Sequence, residues 1–222
     1  LAWHLGRPRS FAEDMRAFLR EEGIGGAVVA YGPVGGAPVA VAFGEAAPGR
    51  AMRVGDRFRL ASLSKPITAA AALHLVREGR ITLDTPVAEA GRGITLRHLL
   101  EHSGGWDREK TFDPISDPPS AARIGLVLPY RCEDVAAHMP PAQFRPGTRH
   151  AYSNIGYCRL GQVIARVSGM SYARYVEQAI LAPRGAHLIY EGAPTVRHAT
   201  HWPDAAFAAL GPGGGWTGSA ME

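Results

Sequence analysis

Lysine is almost missing from this 222-residue chain: 24 residues are Lys or Arg, and only Lys65 and Lys110 are lysine. Asparagine occurs once, at Asn154, and cysteine twice, at Cys132 and Cys158. Two cysteines are too few to define a disulfide framework or a zinc site. Cys158 falls inside a predicted buried helix, where a small core residue is expected. No run of 18 apolar residues offers a transmembrane helix, and no signal peptide is recognisable. The sequence begins at Leu1, so a leader removed beforehand is compatible with it. The compartment therefore stays open between the cytoplasm and an exported location. The net charge of +4 is spread without a basic run, which argues for a solvated surface and against a nucleic-acid-binding face.

What is present is ordinary globular usage, with 46% apolar and 20% charged residues, enough for one good-sized domain with a sub-domain. The lysine shortage is itself informative. Where arginine serves, this chain uses arginine. A lysine at a special place therefore points to a need for an amine that can lose its proton.

Lys65 stands at such a place. Phe58-Arg59-Leu60-Ala61-Ser62-Leu63-Ser64-Lys65-Pro66 runs from an extended segment into an Ala-rich helix that continues to about Glu78. Positions i and i+3 share a helix face, so Ser62 and Lys65 point into the same space. The helix N-terminus adds free N–H groups and partial positive charge there. A serine needs a base to become a nucleophile, and a desolvated lysine can be one. The bland alternative is a capping serine and a solvated lysine. It suits poorly a lysine placed between an apolar run and a buried-looking helix. A second constellation, Tyr152-Ser153-Asn154, contains the single asparagine. Its bland reading is a turn tyrosine before an Asn cap. Its functional reading puts a phenol near Lys65, where a cation favours the phenolate, and an amide suited to hold a carbonyl.

Around these motifs the pattern predicts a helix over 11–22 with a Ser10/Glu13 capping box. A β-hairpin follows from 27–31 and 39–43, then short helices at 96–102 and 132–138, and helices at 155–168 and 171–181. Residues 106–120 read as an exposed loop and 183–217 as irregular. Ser219-Ala220-Met221-Glu222 reads as the start of a further helix. A domain does not normally finish on a first helical turn, so the sequence is expected to be the N-terminal portion of something longer.

Taken together, the Ser62–Lys65 stretch, His98-Leu99-Leu100-Glu101-His102-Ser103-Gly104-Gly105, and Pro146-Gly147-Thr148 through Tyr157 resemble the serine β-lactamase-related family. That family includes class C β-lactamases, D-alanyl-D-alanine carboxypeptidases and related esterases. The resemblance runs from about residue 11 to the end, and Gly213-Gly214-Gly215-Trp216-Thr217-Gly218-Ser219-Ala220 resembles the family's glycine-containing entry to a later helix. It implies an α/β (α+β) fold, an antiparallel sheet with helices plus a helical sub-domain. Residues 1–80 would form the N-terminal part with the nucleophile helix, 81–212 the helical sub-domain, and 213–222 the start of a returning helix. It implies Ser62 as acylated nucleophile, Lys65 as its proton-accepting or charge-supplying partner, Tyr152 as general base and later proton donor, and Asn154 as a contact to the bound acyl group. Substrates would be small esters, amides or β-lactams, with no metal or organic cofactor. The family's His/Lys-Thr/Ser-Gly motif has no match after residue 154, so the strands that carry it are expected outside this sequence. Two other outcomes stay open: acyl transfer to a non-water acceptor, and a non-catalytic binding or regulatory protein on the same scaffold.

Other candidates carry less. His98 and His102 are spaced for a metal, but no metalloprotease carboxylate accompanies them. His187, His198 and His201 read as exposed. Gly213 to Gly218 matches a dinucleotide fingerprint without a preceding strand. His150 has no Gly-x-Ser-x-Gly elbow to serve.

Overall fold

The structure is a computed structural model that describes residues 10–111, 113–139, 141–198 and 203–222. His201 lies outside the described residues. Contacts divide the described chain into two compact units, one of 10–58 with 194–198 and 218–222, the other of 59–193 with 203–217.

In the first unit, Ser10 and Glu13 exchange hydrogen bonds (Ser10 N to Glu13 Oε2, 2.7 Å; Glu13 N to Ser10 Oγ, 3.3 Å). They start α1 (Phe11–Glu21) by satisfying donors that the helix leaves open. The predicted hairpin is present as β1 (Gly26–Tyr31) and β2 (Val39–Ala47), antiparallel from Gly26 opposite Gly44 to Tyr31 opposite Val39. β3 (Arg50–Ala51) pairs back onto β2. Gly44 is required where it stands: at φ 68°, an added Cβ would lie 2.2 Å from the Gly25 carbonyl oxygen. A small core of Ala46, Met52 and Val196 fills this unit.

The second unit holds the larger core. β4 (Phe58–Arg59) leads through a 3-10 turn, Ala61–Leu63, into α2 (Ser64–Arg77). Then come α3 (Leu96–Leu100), α4 (Arg108–Thr111), α5 (Pro118–Arg123), α6 (Cys132–His138) and α7 (Asn154–Ser168). α8 (Tyr172–Val176) continues as a π-helical turn to Leu181. β5 (Ile189–Tyr190), α9 (Asp204–Ala208) and β6 (Trp216–Gly218) follow, and the sheet order is β4–β6–β5. Leu75, Leu96, Leu99, Leu160, Ile164 and Val176 are wholly buried where α2, α3, α7 and α8 meet. Each such side chain stabilises the unit by about 1.5–3 kcal/mol. The predicted helices at 11–22, 132–138, 155–168 and 171–181 are all present, α7 opening one residue earlier, at Asn154.

Several expectations are corrected. Cys132 and Cys158 are joined in a disulfide. Their 26-residue separation carries no pairing signal, and only the side-by-side packing of α6 and α7 brings them together. The segment 106–120 is not an exposed loop: α4 and the start of α5 lie in it, and Trp106, Asp113, Ile115 and Ser116 are buried. Its polar residues satisfy one another, as where Asp117 caps α5 through the Ser120 N–H at 3.0 Å. The segment 183–217 contains β5, α9 and most of β6, elements too short to show a period. The predicted helix at 96–102 closes at Leu100, and His102 takes φ 54°. The glycine run enters strand β6 instead of a helix, and Ser219 to Glu222 forms a turn in which Ser219 N donates to Glu222 Oε2 at 2.7 Å.

Candidate active site

Ala61, immediately before the candidate serine, sits at φ 45°, a region costing a non-glycine residue of order 1–3 kcal/mol. This bend turns the chain from β4 into the 3-10 turn and leaves Ser62 exposed. One turn later Lys65 is 5% exposed, and its Nζ donates to Ser62 Oγ at 3.2 Å. The sequence placed these two side chains on one face, and the structure has them in contact.

Tyr152 precedes α7. Its Oη lies 2.5 Å from Ser62 Oγ, although the residues are 90 positions apart. Ser153 caps α7 by accepting from Gly156 N at 3.1 Å, which directs Asn154 at the helix start into the core. Lys65 Nζ donates to Asn154 Oδ1 at 2.7 Å and to the Gly213 carbonyl at 2.8 Å. The other three predicted residues are thus gathered around the Lys65 amine.

The turn that carries Gly213 is held to α2 at three points. Thr68 Oγ1 donates to the Pro212 carbonyl at 2.6 Å, Lys65 to Gly213, and Trp216 N donates to Ser64 Oγ at 3.3 Å. Tyr172 supports the same region through a 2.6 Å bond between its Oη and Thr68 Oγ1, and it accepts from Trp216 Nε1 at 2.9 Å. Burial pushes the Tyr172 phenol up to about 12, so it stays neutral and serves as a fixed strut.

Burial lowers the affinity of Lys65 for its proton, because the ammonium has lost its water. The hydrogen bond and charge of Tyr152, and then the charge of Asp113, act in the opposite direction, while Arg108 reinforces the lowering. Lys65 Nζ lies 4.8 Å from the centroid of the Tyr152 ring. His102 stacks on Tyr152 with ring centroids 4.6 Å apart, and its Nδ1 accepts from Ser153 N at 3.1 Å. Burial, the Lys65 charge and His150 depress His102 to about 4, so it is a neutral spacer near pH 7.

Sequence reasoning missed four parts of this arrangement. Asp113 receives Asn154 Nδ2 at 2.7 Å, Arg108 lies 5.3 Å from the Tyr152 ring centroid, Gly213 offers its carbonyl, and His102 stacks on the phenol. His102 lay in a quoted motif, but no spacing rule joins 102, 113 and 213 to 65.

Among the described residues, three potential metal ligands come together only at Cys132, Glu133 and Cys158, and the disulfide occupies both sulfurs. His98 and His102 are used locally: His98 Nδ1 accepts from Thr95 N at 3.2 Å, and His102 from Ser153. No described helix is long and apolar enough to cross a membrane.

Comparison with known proteins identifies relatives of the chain. Probable fimbrial assembly protein FimD, serogroup H1, of Dichelobacter nodosus is 35% identical over 138 residues, covering 57% of this chain and 33% of that protein. Esterase EstB of Burkholderia gladioli is 32% identical over 155 residues, covering 62% of this chain and 39% of that one. The crystal structure of SurE with D-Leu superposes with a TM-score of 0.72 at 28% identity, covering 95% of this chain and 49% of that one. The chain thus spans a third to a half of the length of these relatives. The family model described as Beta-lactamase matches residues 11–221, and this chain, with its helices and small antiparallel sheets, belongs to that family.

Proposed function

We propose that the protein is a serine hydrolase that forms an acyl-enzyme on Ser62 and hydrolyses a small ester, amide or β-lactam. One observation carries the reading: an exposed serine hydroxyl in contact with both a phenol, at 2.5 Å, and a buried amine, at 3.2 Å. The Tyr152–Lys65 pair takes the hydroxyl proton as Ser62 Oγ attacks the acyl carbon. The two groups are coupled, and the proton belongs to the pair. As the tetrahedral intermediate collapses, the bond to the leaving group breaks and the leaving group takes the proton from Tyr152. Water then attacks the acyl-enzyme, the pair accepts its proton, and Ser62 is released protonated. No metal or organic cofactor is needed for these steps. An esterase among the relatives supports acyl chemistry on small molecules.

Two rivals remain distinguishable. An alcohol or amine resolving the same acyl-enzyme makes the protein an acyltransferase, and a scaffold that has kept its shape without reacting makes it a binding protein. Treating the protein with a fluorophosphonate and weighing it separates the last from the others. One adduct is expected, absent in Ser62→Ala. No adduct in an intact, folded sample rejects the enzyme reading. Following product after a chromogenic ester, with and without added alcohol, separates hydrolysis from transfer.

A further inference from the structure

The Asn154 amide faces Lys65 with its oxygen, and nothing within the amide itself dictates that choice. An amide turned by 180° occupies the same space and offers N–H donors instead. Lys65 is a donor, so the turned amide would oppose it. What faces the other end of Asn154 is Asp113, 5% exposed, whose Oδ2 accepts from Asn154 Nδ2 at 2.7 Å. An ionised carboxylate only accepts, so it selects the orientation with nitrogen towards itself and oxygen towards Lys65.

Asp113 is itself held firmly. Its Oδ2 accepts from Ser116 Oγ, its carbonyl receives Ser116 N at 2.9 Å and Asp117 N at 3.1 Å, and Arg108 lies 3.7 Å from Oδ2. Its backbone is at φ 47°, in the left-handed region that aspartate enters more readily than most non-glycine residues. We propose that Asp113 is a positioning residue: its buried carboxylate orients the Asn154 amide so that Lys65 meets an acceptor and its amine is aimed at Ser62. The inference rests on the reading of Ser62 as the acylated nucleophile.

The groups that face Lys65 are Ser62, Asn154 and Gly213 through hydrogen bonds, Tyr152 and Tyr157 through their rings, Asp113 and Arg108 through charge, and His102, whose protonation the Lys65 charge opposes. Asp113 is the carboxylate of this set. In Asp113→Asn the amide is free to turn and the nearby negative charge is gone. Both changes release the proton of the Lys65–Tyr152 pair more readily. The limb of the acylation profile belonging to that pair therefore moves to lower pH, by about one unit, whichever protonation state reacts.

The experiment measures fluorophosphonate acylation of Ser62 against pH in wild type, Asp113→Asn, Asn154→Ala and the double variant, with thermal unfolding to verify folding. The expected result is a shifted limb in Asp113→Asn that shrinks in the Asn154→Ala background, since the part carried by the amide is lost there and only the direct charge effect stays. An unmoved profile, or a shift equally large without Asn154, overturns the proposal. Asp113→Gly, which removes the carboxylate and suits the positive φ, stands in if Asp113→Asn does not fold. An unmoved limb there overturns the proposal as well. Wild type that never forms the adduct rejects the hydrolase reading instead, so the two failures are separable.

Discussion

Lys65 donates a 2.8 Å hydrogen bond to the carbonyl of Gly213, 148 residues further along the chain. The same ammonium reaches Ser62 Oγ and Asn154 Oδ1, so its three protons have three partners in fixed directions. An arginine is charged but planar and cannot give up its proton at ordinary pH.

Lys65→Arg is therefore expected to lose acylation of Ser62 by about 10²–10⁴-fold, the range for a lost acid–base group. Mass spectrometry of the fluorophosphonate adduct against time measures it. Retained labelling would remove the amine from the mechanism. Tyr152→Phe is expected to lose a comparable factor, since it deletes the hydroxyl 2.5 Å from Ser62 Oγ and leaves the ring stacked on His102.

Gly161 tests the packing behind the site. A Cβ added there would lie 2.1 Å from Pro212 Cγ and 2.8 Å from its Cβ. Alanine favours a helix over glycine by up to about 1 kcal/mol, but overpacking costs about 1–3 kcal/mol, so Gly161→Ala is expected to destabilise. Because Pro212 adjoins Gly213, labelling of Ser62 should slow as well. Urea midpoints together with adduct formation check both effects.

The Cys132–Cys158 disulfide lies against the same turn, where a Cβ on Gly211 would be 2.8 Å from Cys132 Sγ. Closing a 26-residue loop stabilises by about 3–4 kcal/mol in the chain-entropy account. Urea midpoints with and without reductant are expected to differ by that amount. Alkylation of the unreduced, unfolded protein should find no free thiol from this pair.

His102 makes stability depend on pH. Its folded value, about 4, lies below its ordinary 6.5, so the unfolded chain binds the extra proton between these values. The contribution is fully present above about 6.5 and is lost as pH falls towards about 4. A series of urea midpoints from pH 7 to 4 should decline in wild type and decline less in His102→Gln. Equal slopes would show that His102 is not the group responsible.

The chain's pattern alone determined the long helices, the first hairpin and the pairing of Ser62 with Lys65, because each rests on local periodicity. α1 opens on a capping box, α7 carries a sustained apolar face, and three residues of spacing return a side chain to the same side of a helix. Tyr152 and Asn154 were legible as a rare triplet and through family resemblance, though their contact with Lys65 was not derivable from spacing. Only the tertiary structure decided that Cys132 meets Cys158, that Asp113 lies buried behind Asn154, and that the Gly213 carbonyl receives the amine. Those contacts join residues from 26 to 148 positions apart. No periodicity spans such distances, and the choice of partners belongs to the way α2, α6 and α7 pack.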